Sequence, residues 1–335
     1  MSRKTGHKES LSVCLKRACF LLLGTTIYVT SLGAQSAGEY SISWIGQYPP
    51  GENGEKTSFG ERMSALVFGQ KPQEVIKPFG IVAASPQEFL VLDQGAGTVF
   101  ECVDGKGEVL KSMRKADREF PSLVGICQIP GGDLLLTDSR MNQVFRISDG
   151  GLSRLSDSFS FSQPTGIAYS SRTGEVWVVE TVAHRVVVLN RQGELIKTIG
   201  ERGSEPGTFN FPTFIWIDQQ GQVYIVDSMN FRVQAFDHQG NFLFSFGEIG
   251  DATGTMARPK GIATDSRGNI YVADALFHVV QIFDREGNYL YNFGGQGQEA
   301  GEFWMPAGIC IDEQDFIYVA DSYNARIQVF QLVKN

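Results

Sequence analysis

The sequence predicts an all-β fold, a six-bladed β-propeller built from four-stranded antiparallel blades, and three observations predict it. An acidic residue recurs six times at steps of 42 to 47 residues, and a proline recurs in phase with it at steps of 43 to 48. Each repeat contains four short runs rich in Val, Ile, Tyr and Phe, which turn-forming residues separate. Glycine is 38 of 335 residues, an excess that indicates many tight turns. Such a period with four strands per repeat is typical of a β-propeller.

Two sets of residues mark the repeats and stay in phase along the chain. Because these markers are independent of each other and agree six times, we expect six blades. The acidic positions are Asp93, Asp138, Glu180, Asp227, Asp274 and Asp321, and the prolines are Pro78, Pro121, Pro164, Pro212, Pro259 and Pro306.

The fifth repeat shows the predicted layout of one blade. Its first strand opens at Pro259, and the second, third and fourth strands cover 270–273, 279–283 and 289–293. None of the segments between strands has an apolar period of helical length, so helical crossovers between parallel strands are disfavoured. The strands of each blade are therefore expected to be antiparallel.

Closure of the ring is predicted from the two ends of the repeat region. The last repeat ends at Asn335 without a fourth strand, whereas residues 40–46 match the fourth-strand segment 194–200. We therefore expect the N-terminal strand 40–46 to complete the sixth blade and remove an open sheet edge.

A longer connection precedes the first full repeat. It spans 32 residues between Gly46 and Pro78, where the later junctions use 12. Apolar residues within it recur at helical spacing, which predicts a short amphipathic helix over 58–68. Its apolar face either packs on one end of the propeller or docks a partner.

The first 37 residues have the order of a secretory signal. Residues 1–17 are polar and basic, 18–29 form a short apolar run, and small residues cluster over 31–37. The predicted domains are thus a leader over 1–37 and a propeller over 38–335. We expect the mature protein outside the cytoplasm, in the periplasm, on the cell surface or secreted. The alternative is an uncleaved anchor that contacts the membrane only through 18–29.

The charge distribution disfavours one class of partner. The whole chain carries a net charge of −8, while the leader is basic, so the remainder is strongly acidic. An acidic body is a poor general ligand for phosphate backbones, and nucleic acid is not an expected partner. The chain also carries no GxSxG, HExxH, P-loop or dinucleotide-binding motif.

A second sequence pattern resembles a known family. The run Phe-Gly-x-x-Gly-x-x-x-Gly-x-Phe-x-x-Pro is followed by Gly-Ile and by Tyr-Val-x-Asp-Ser-x-Asn-x-Arg-Val-Gln-x-Phe, most clearly over 293–330 and 223–247. This pattern resembles the NHL repeat, and the resemblance, which covers 40–335, extends to exported bacterial NHL proteins. It implies a six-bladed propeller but no single activity, because NHL propellers include ubiquitin ligases, RNA binders, amidating lyases and envelope proteins.

Polar candidates for a site lie on one end of the predicted propeller. We call this end, which carries the turns between second and third strands and the loops joining successive blades, the junction face. Its six acidic residues either bind Ca²⁺ or a cationic ligand, or cap their own turns and pair with an Arg five positions on. Asp274 lacks that Arg because Val279 replaces it. His184 and His278 share one repeat position and are candidate metal ligands or acid–base groups, although zinc would need a third ligand.

Aromatic candidates occur at positions where one repeat differs in residue type from the others. Phe214 and Trp216 stand where other first strands have glycine and a small residue, so they either fill the core or form an aromatic platform for a ligand. Trp304, Phe231 and Tyr323 are expected on the junction face, where exposed aromatic rings suit binding.

Two functions from different classes follow. The leading one is an exported, non-enzymatic scaffold, expected to be monomeric and without a cofactor, that presents its junction face to an envelope protein or glycan. The alternative is a metal-dependent hydrolase or lyase, of the lactonase or amidating-lyase type, with Ca²⁺ or Zn²⁺ at the channel mouth.

Overall fold

Six four-stranded antiparallel sheets follow one another along the chain. The computed structural model describes residues 40–50, 75–114 and 119–334. Five sheets use four consecutive strands each, and the sixth combines three C-terminal strands with the N-terminal one. The first strands of successive sheets pack against each other around a closed ring, which confirms the six-bladed propeller. The predicted leader (1–37) and helix (58–68) lie outside the described residues.

Within each blade the first-named strand is the innermost and the last-named is the outermost. Blade one contains β2 (Pro78–Ser85), β3 (Glu88–Asp93), β4 (Thr98–Val103) and β5 (Lys106–Val109). Blade two contains β6 (Leu123–Gln128), β7 (Leu134–Asp138), β8 (Gln143–Ser148) and β9 (Gly151–Arg154). Blade three contains β10 (Pro164–Ser170), β11 (Glu175–Glu180), β12 (Arg185–Leu189) and β13 (Leu195–Ile199).

The remaining blades follow the same order. Blade four contains β14 (Pro212–Ile217), β15 (Val223–Asp227), β16 (Arg232–Phe236) and β17 (Phe242–Phe246). Blade five contains β18 (Pro259–Thr264), β19 (Ile270–Asp274), β20 (Val279–Phe283) and β21 (Tyr289–Gly294). Blade six contains β22 (Ile309–Ile311), β23 (Phe316–Asp321), β24 (Arg326–Lys334) and β1 (Tyr40–Tyr48).

The N-terminal strand closes the ring as the sequence predicts. β1 pairs antiparallel with β24 along its whole length, with one irregularity between Trp44 and Gly46. Trp44 Nε1 donates a hydrogen bond to Gln328 Oε1 at 3.0 Å. Blade six is joined to blade one by Ser322 Oγ, which donates to the carbonyl oxygen of Pro78 at 2.6 Å.

The core lies between blades. Each blade packs both faces against its neighbours, so its second strand is buried along its length, as in β7, β15 and β19. Continuous apolar runs of four to eight residues are the sequence signature of such strands. The largest fully buried side chains include Trp177, Tyr271 and Tyr318.

Helical structure is nearly absent from the described part of the chain. One four-residue turn of helix, α1 (Lys111–Arg114), follows β5 and buries Met113. It is too short for the periodicity argument to predict it. Within the described ranges, none of the helices has the length and apolar character that a bilayer-spanning helix needs.

Candidate functional site

The junction-face carboxylates are fully buried and accept hydrogen bonds from the backbone of their own turns. Asp274 shows this most clearly, because no Arg stands opposite it. Its oxygens accept four backbone N–H groups, from Ala257 at 2.8 Å, Arg258 at 3.0 Å, Leu276 at 3.1 Å and Phe277 at 3.2 Å. These donors stabilise the carboxylate in place of a cation.

Three of the other carboxylates pair with the Arg five positions on. The Nε–O distances are 2.6 Å for Arg185 and Glu180, 2.9 Å for Arg232 and Asp227, and 2.7 Å for Arg326 and Asp321. Arg326 also donates to two carbonyl oxygens of the preceding junction loop, both at 2.9 Å. The acidic residues therefore hold the turns and the loops between blades, the structural one of the two roles predicted for them.

Both candidate histidines occupy a left-handed turn position four residues after the acid. Their φ angles are 54° at His184 and 59° at His278. His184 Nδ1 accepts the backbone N–H of Phe211, and His278 Nδ1 accepts that of Met305, both at 3.1 Å. Each imidazole thus joins its turn to the loop that opens the next blade. The structure does not bring the two histidines together, since they belong to blades three and five.

An asparagine performs the same task in blade two. Asn142 has a φ of 53°, and its Oδ1 accepts the N–H of Gln163 at 2.8 Å. Blades two, three and five thus carry a side-chain acceptor at this left-handed position, whereas blades four and six have Phe231 and Ala325 there. Within the described residues, no group of three or more His, Cys, Asp or Glu side chains is arranged to hold a metal ion.

Two aromatic rings meet across the central channel. Phe79 of blade one and Phe214 of the opposite blade four stack with ring centroids 5.5 Å apart and planes 28° apart. A glycine stands at the Phe214 position in the other first strands, where a Cβ would strike the next strand; at Gly166 it would lie 2.7 Å from the Thr213 carbonyl oxygen. Phe214 therefore departs from the repeat and narrows the channel at its junction-face end.

A cavity of about 340 Å³ runs along the axis beyond this pair. First strands of all six blades line it, and Trp216 in its wall donates through Nε1 to Thr264 Oγ1 at 2.9 Å. Its lining continues to the turns at 217–220, 264–266 and 311–313, on the face opposite the junction face. Phe214 and Trp216 therefore line the central cavity rather than a junction-face surface.

The acids at that opposite mouth are also structural. Tyr318 donates its hydroxyl to Asp312 at 2.7 Å, and Tyr271 donates to Asp265 at 3.2 Å. Burial raises the pKa of Asp218, which accepts the backbone N–H of Gln222 at 2.8 Å. A repeated Asp–Tyr pair therefore fastens the turn between the first and second strands of these blades.

Two family models match parts of the chain. Residues 303–330 match the NHL repeat, and residues 155–251 match a family described as a 6-bladed beta-propeller. The chain is a six-bladed β-propeller with an NHL repeat. The NHL motif also has a structural explanation, because its Asp, Asn, Arg and Gln side chains hold the junction loop in blades four and six.

Solved structures resemble the propeller in fold at low sequence identity. A virginiamycin B lyase from Staphylococcus aureus is 16% identical with a TM-score of 0.56, covering 78% of this chain and 96% of its own. A gluconolactonase from Xanthomonas campestris is 15% identical with a TM-score of 0.60, covering 78% and 88%. An auxiliary nutrient binding protein from Bacteroides ovatus is 12% identical with a TM-score of 0.57, covering 78% and 70%. No curated protein sequence matches the chain.

Trp304 and Tyr323 lie together on the junction face of the propeller. Their ring centroids are 6.2 Å apart, and the side chains are 42% and 57% exposed. The Lys77 ammonium lies 5.8 Å from the centroid of the Tyr323 ring. Phe231 is half-buried at the left-handed position and packs against the core between blades four and five. Among the aromatic candidates, Trp304 and Tyr323 therefore form a surface pair.

An apolar surface that the sequence analysis missed surrounds this pair. The position two residues after the acid is apolar in four consecutive blades, and the loops joining blades three to four, five to six and six to one contribute the exposed residues Phe211, Trp304 and Ile76. We call this set the apolar arc; it comprises Val182, Met229, Leu276, Tyr323, Phe211, Trp304 and Ile76. Met229 and Leu276 are 54% and 51% exposed. Four apolar residues at one repeat position would have been a usable sequence signal.

Lys260 is a second residue that sequence analysis missed. It stands at the start of β18 on the junction-face side, where the other blades have Phe, Val, Thr or Ala. Its ammonium lies 5.4 Å from the centroid of the Phe79 ring. Burial, together with the charges of Arg258 and Lys77, lowers the pKa of Lys260 to about 8.

Proposed function

We propose that the propeller is a non-enzymatic, exported binding module that holds a partner protein on its junction face. One observation carries the proposal, the apolar arc that crosses blades three to six and reaches blade one. Exposed apolar side chains scattered singly are ordinary, but the arc has an exposed apolar residue at one repeat position in four consecutive blades. Apolar side chains concentrated on one face are typical of an interaction surface. The arc therefore supports a binding role for this face.

The chemistry of the arc favours a protein over a glycan. Val182, Met229 and Leu276 are aliphatic, and such side chains match the apolar side chains of a protein segment. Sugars bind chiefly through hydroxyl groups and through stacking on aromatic rings, which Trp304, Tyr323 and Phe211 provide within the arc. Interface cores are enriched in aromatic residues and Met, so this composition supports a protein partner.

An envelope location is part of the same proposal. It rests on the signal-like order of residues 1–37. Auxiliary nutrient binding proteins from two Bacteroides species are among the similar folds, at 12% and 14% identity. Their names describe binding rather than catalysis, which agrees with the proposed role.

Position-specific photo-crosslinking in the producing cell tests the proposal. The full-length chain receives a photoreactive amino acid at Met229 or Leu276, or at Ile196 or Leu243 as matched controls. The control positions lie on outermost strands and are 49% and 47% exposed, close to the values of the test positions. We expect one shared protein adduct from both junction-face positions and none from the controls. Absence of that adduct, or its equal formation from the controls, would contradict the proposal.

The alternative is a metal-dependent hydrolase or lyase, and the named lyase and gluconolactonase folds are what favour it. It requires junction-face carboxylates or imidazoles with free lone pairs for a metal. Asp274 accepts four backbone N–H groups, and the Nδ1 atoms of His184 and His278 accept one each. These contacts favour the binding role.

A further inference from the structure

Lys260 is a half-buried cation for which the described residues provide no anionic partner. Its ammonium lies over the Phe79 ring, 5.4 Å from the ring centroid. None of the ion pairs within 40–50, 75–114 and 119–334 involves this lysine. Burying an ammonium without a hydrogen-bond acceptor is energetically unfavourable. A bound anion would compensate this charge.

The surroundings of Lys260 add positive charge. Lys77 from the loop before blade one and Arg258 from the loop before blade five both lower its pKa through their charges. Within the described ranges, neither side chain forms an ion pair. The six nearby junction-face acids are buried in their own turns and contribute hydrogen bonds there. The two charged side chains that shift the pKa of Lys260 are therefore both cationic, in a chain whose net charge is −8.

The floor of this mouth is aromatic. Phe79 lies below the Lys260 ammonium and stacks on Phe214, which narrows the channel beneath. A strongly hydrated anion such as phosphate would lose its water over these rings and find few donors in return. A carboxylate joined to an apolar group would place its charge beside the ammonium and its apolar part against the rings.

We propose that Lys260, Lys77 and Arg258 form a binding site for a carboxylate attached to an apolar body, at the channel mouth on the junction face. This site does not depend on the proposed function, because its carboxylate can belong to a small acid as well as to a partner protein. Two sources share this chemistry: a free apolar carboxylic acid, and an acidic side chain or C-terminus of the partner protein.

Chemical labelling of the unmodified protein tests the site without a folding risk. Lysines are acetylated briefly with acetic anhydride at pH 7.5, and the extent at Lys260 is compared with that at Lys106, an exposed lysine of blade one. Because only the neutral amine reacts, a pKa of about 8 gives Lys260 a much larger reactive fraction at pH 7.5 than a lysine with the ordinary pKa of 10.5 has. Benzoate is the anionic probe, and benzamide is its uncharged match.

We expect benzoate to slow acetylation of Lys260 by fivefold or more while Lys106 is unaffected and benzamide has no effect. Bound carboxylate both covers the amine and favours its protonated form. Equal effects of benzoate and benzamide, or no protection by either, would overturn the site. Lys260→Arg, which keeps the charge, should retain benzoate binding in a direct titration, whereas Lys260→Met should lose at least tenfold in affinity.

The crosslinking assay distinguishes the two sources. If benzoate protects Lys260 and Lys260→Met also abolishes the adduct formed from Met229, the partner supplies the carboxylate. If benzoate protects but the adduct persists in Lys260→Met, a free acid is the natural ligand. An adduct that persists while benzoate gives no protection contradicts this site and leaves the proposed function standing. Protection by benzoate without any adduct would contradict the proposed function alone.

Discussion

The ammonium of Lys260 lies over an aromatic ring and near two other cations. Its positive charge therefore lowers the free energy of unfolding. The pKa of Lys260 falls from 10.5 to about 8 on folding. Well below pH 8 the group is protonated in both states, and the native state is destabilised by the full amount. Between about pH 8 and 10.4 the unfolded chain binds more protons, so this destabilisation declines as the pH rises. A residue that lowers stability in the free protein is a common feature of binding sites.

Lys260→Met should therefore stabilise the free protein at pH 7. The expected gain in the free energy of unfolding is roughly 1 to 3 kcal/mol, because the variant removes a poorly solvated charge and keeps a similar shape. The gain should shrink as the pH approaches 10. Urea unfolding of both proteins at pH 7 and pH 9.5 measures it, with the exposed Lys106→Met as the control. Destabilisation by Lys260→Met at pH 7 would contradict the prediction and show that the folded protein compensates the charge of Lys260.

This lysine illustrates what the sequence does not reveal at the residue scale. The position before the inner-strand glycine accepts Phe, Val, Thr and Ala in other blades, so a lysine there gives no repeat-based signal. Its significance depends on Phe79 and Lys77, which are far away in the chain and close only around the ring. By contrast, comparison of the repeats shows that His184 and His278 share one position. Their role in joining blades can be recognised only from the φ angles and the Nδ1 contacts.

At the scale of elements, successive blades are joined by side chains that reach from one turn into the next loop. His278 joins blade five to the loop before blade six, and Asn142 makes the equivalent contact between blades two and three. Threonine and serine hydroxyls add links at the inner strands, including Thr181 to the Pro212 carbonyl oxygen at 2.7 Å. The ring therefore depends on contacts between blades as well as on the ladders within them.

We predict that His278→Asn is close to neutral, whereas His278→Ala lowers the free energy of unfolding by about 1 kcal/mol. Asparagine keeps an acceptor and tolerates the left-handed conformation, while alanine leaves the Met305 N–H without its partner. Thermal and urea unfolding of the two variants against the parent protein provide the measurement. If both variants were equally impaired in partner binding while folding normally, the imidazole would have a role that asparagine cannot fill.

Most elements could be predicted from the sequence because each strand is marked locally. The strand predicted over 279–283 is β20 (Val279–Phe283), and the closing strand predicted over 40–46 is β1 (Tyr40–Tyr48). The prediction of β1 ended two residues early because the repeat match ends at Gly46, whereas pairing with β24 continues to Tyr48. The single turn α1 was missed because four residues carry no measurable helical period.

At the scale of the whole molecule, the two ends of the propeller differ in chemistry. The junction face combines the apolar arc with a cationic channel mouth, and the axial cavity continues to acidic turns at the other end. The repeat analysis identified which residues share a position but not which side chains meet across the axis. The Phe79–Phe214 stack joins blades one and four, so only the closed ring reveals it. That stack narrows the channel between the two ends.

The same asymmetry predicts how the intact protein responds to metal removal. A divalent cation at the junction face would meet carboxylates already engaged by N–H groups and would be repelled by Lys260, Lys77 and Arg258. We expect protein purified without added metal to contain well below one equivalent of Ca²⁺ or Zn²⁺, and its unfolding midpoint to be unchanged by a chelator. Elemental analysis and thermal unfolding with and without the chelator measure both. One equivalent of either metal, lost in Asp274→Asn but retained in the exposed control Asp149→Asn, would instead favour the hydrolase or lyase.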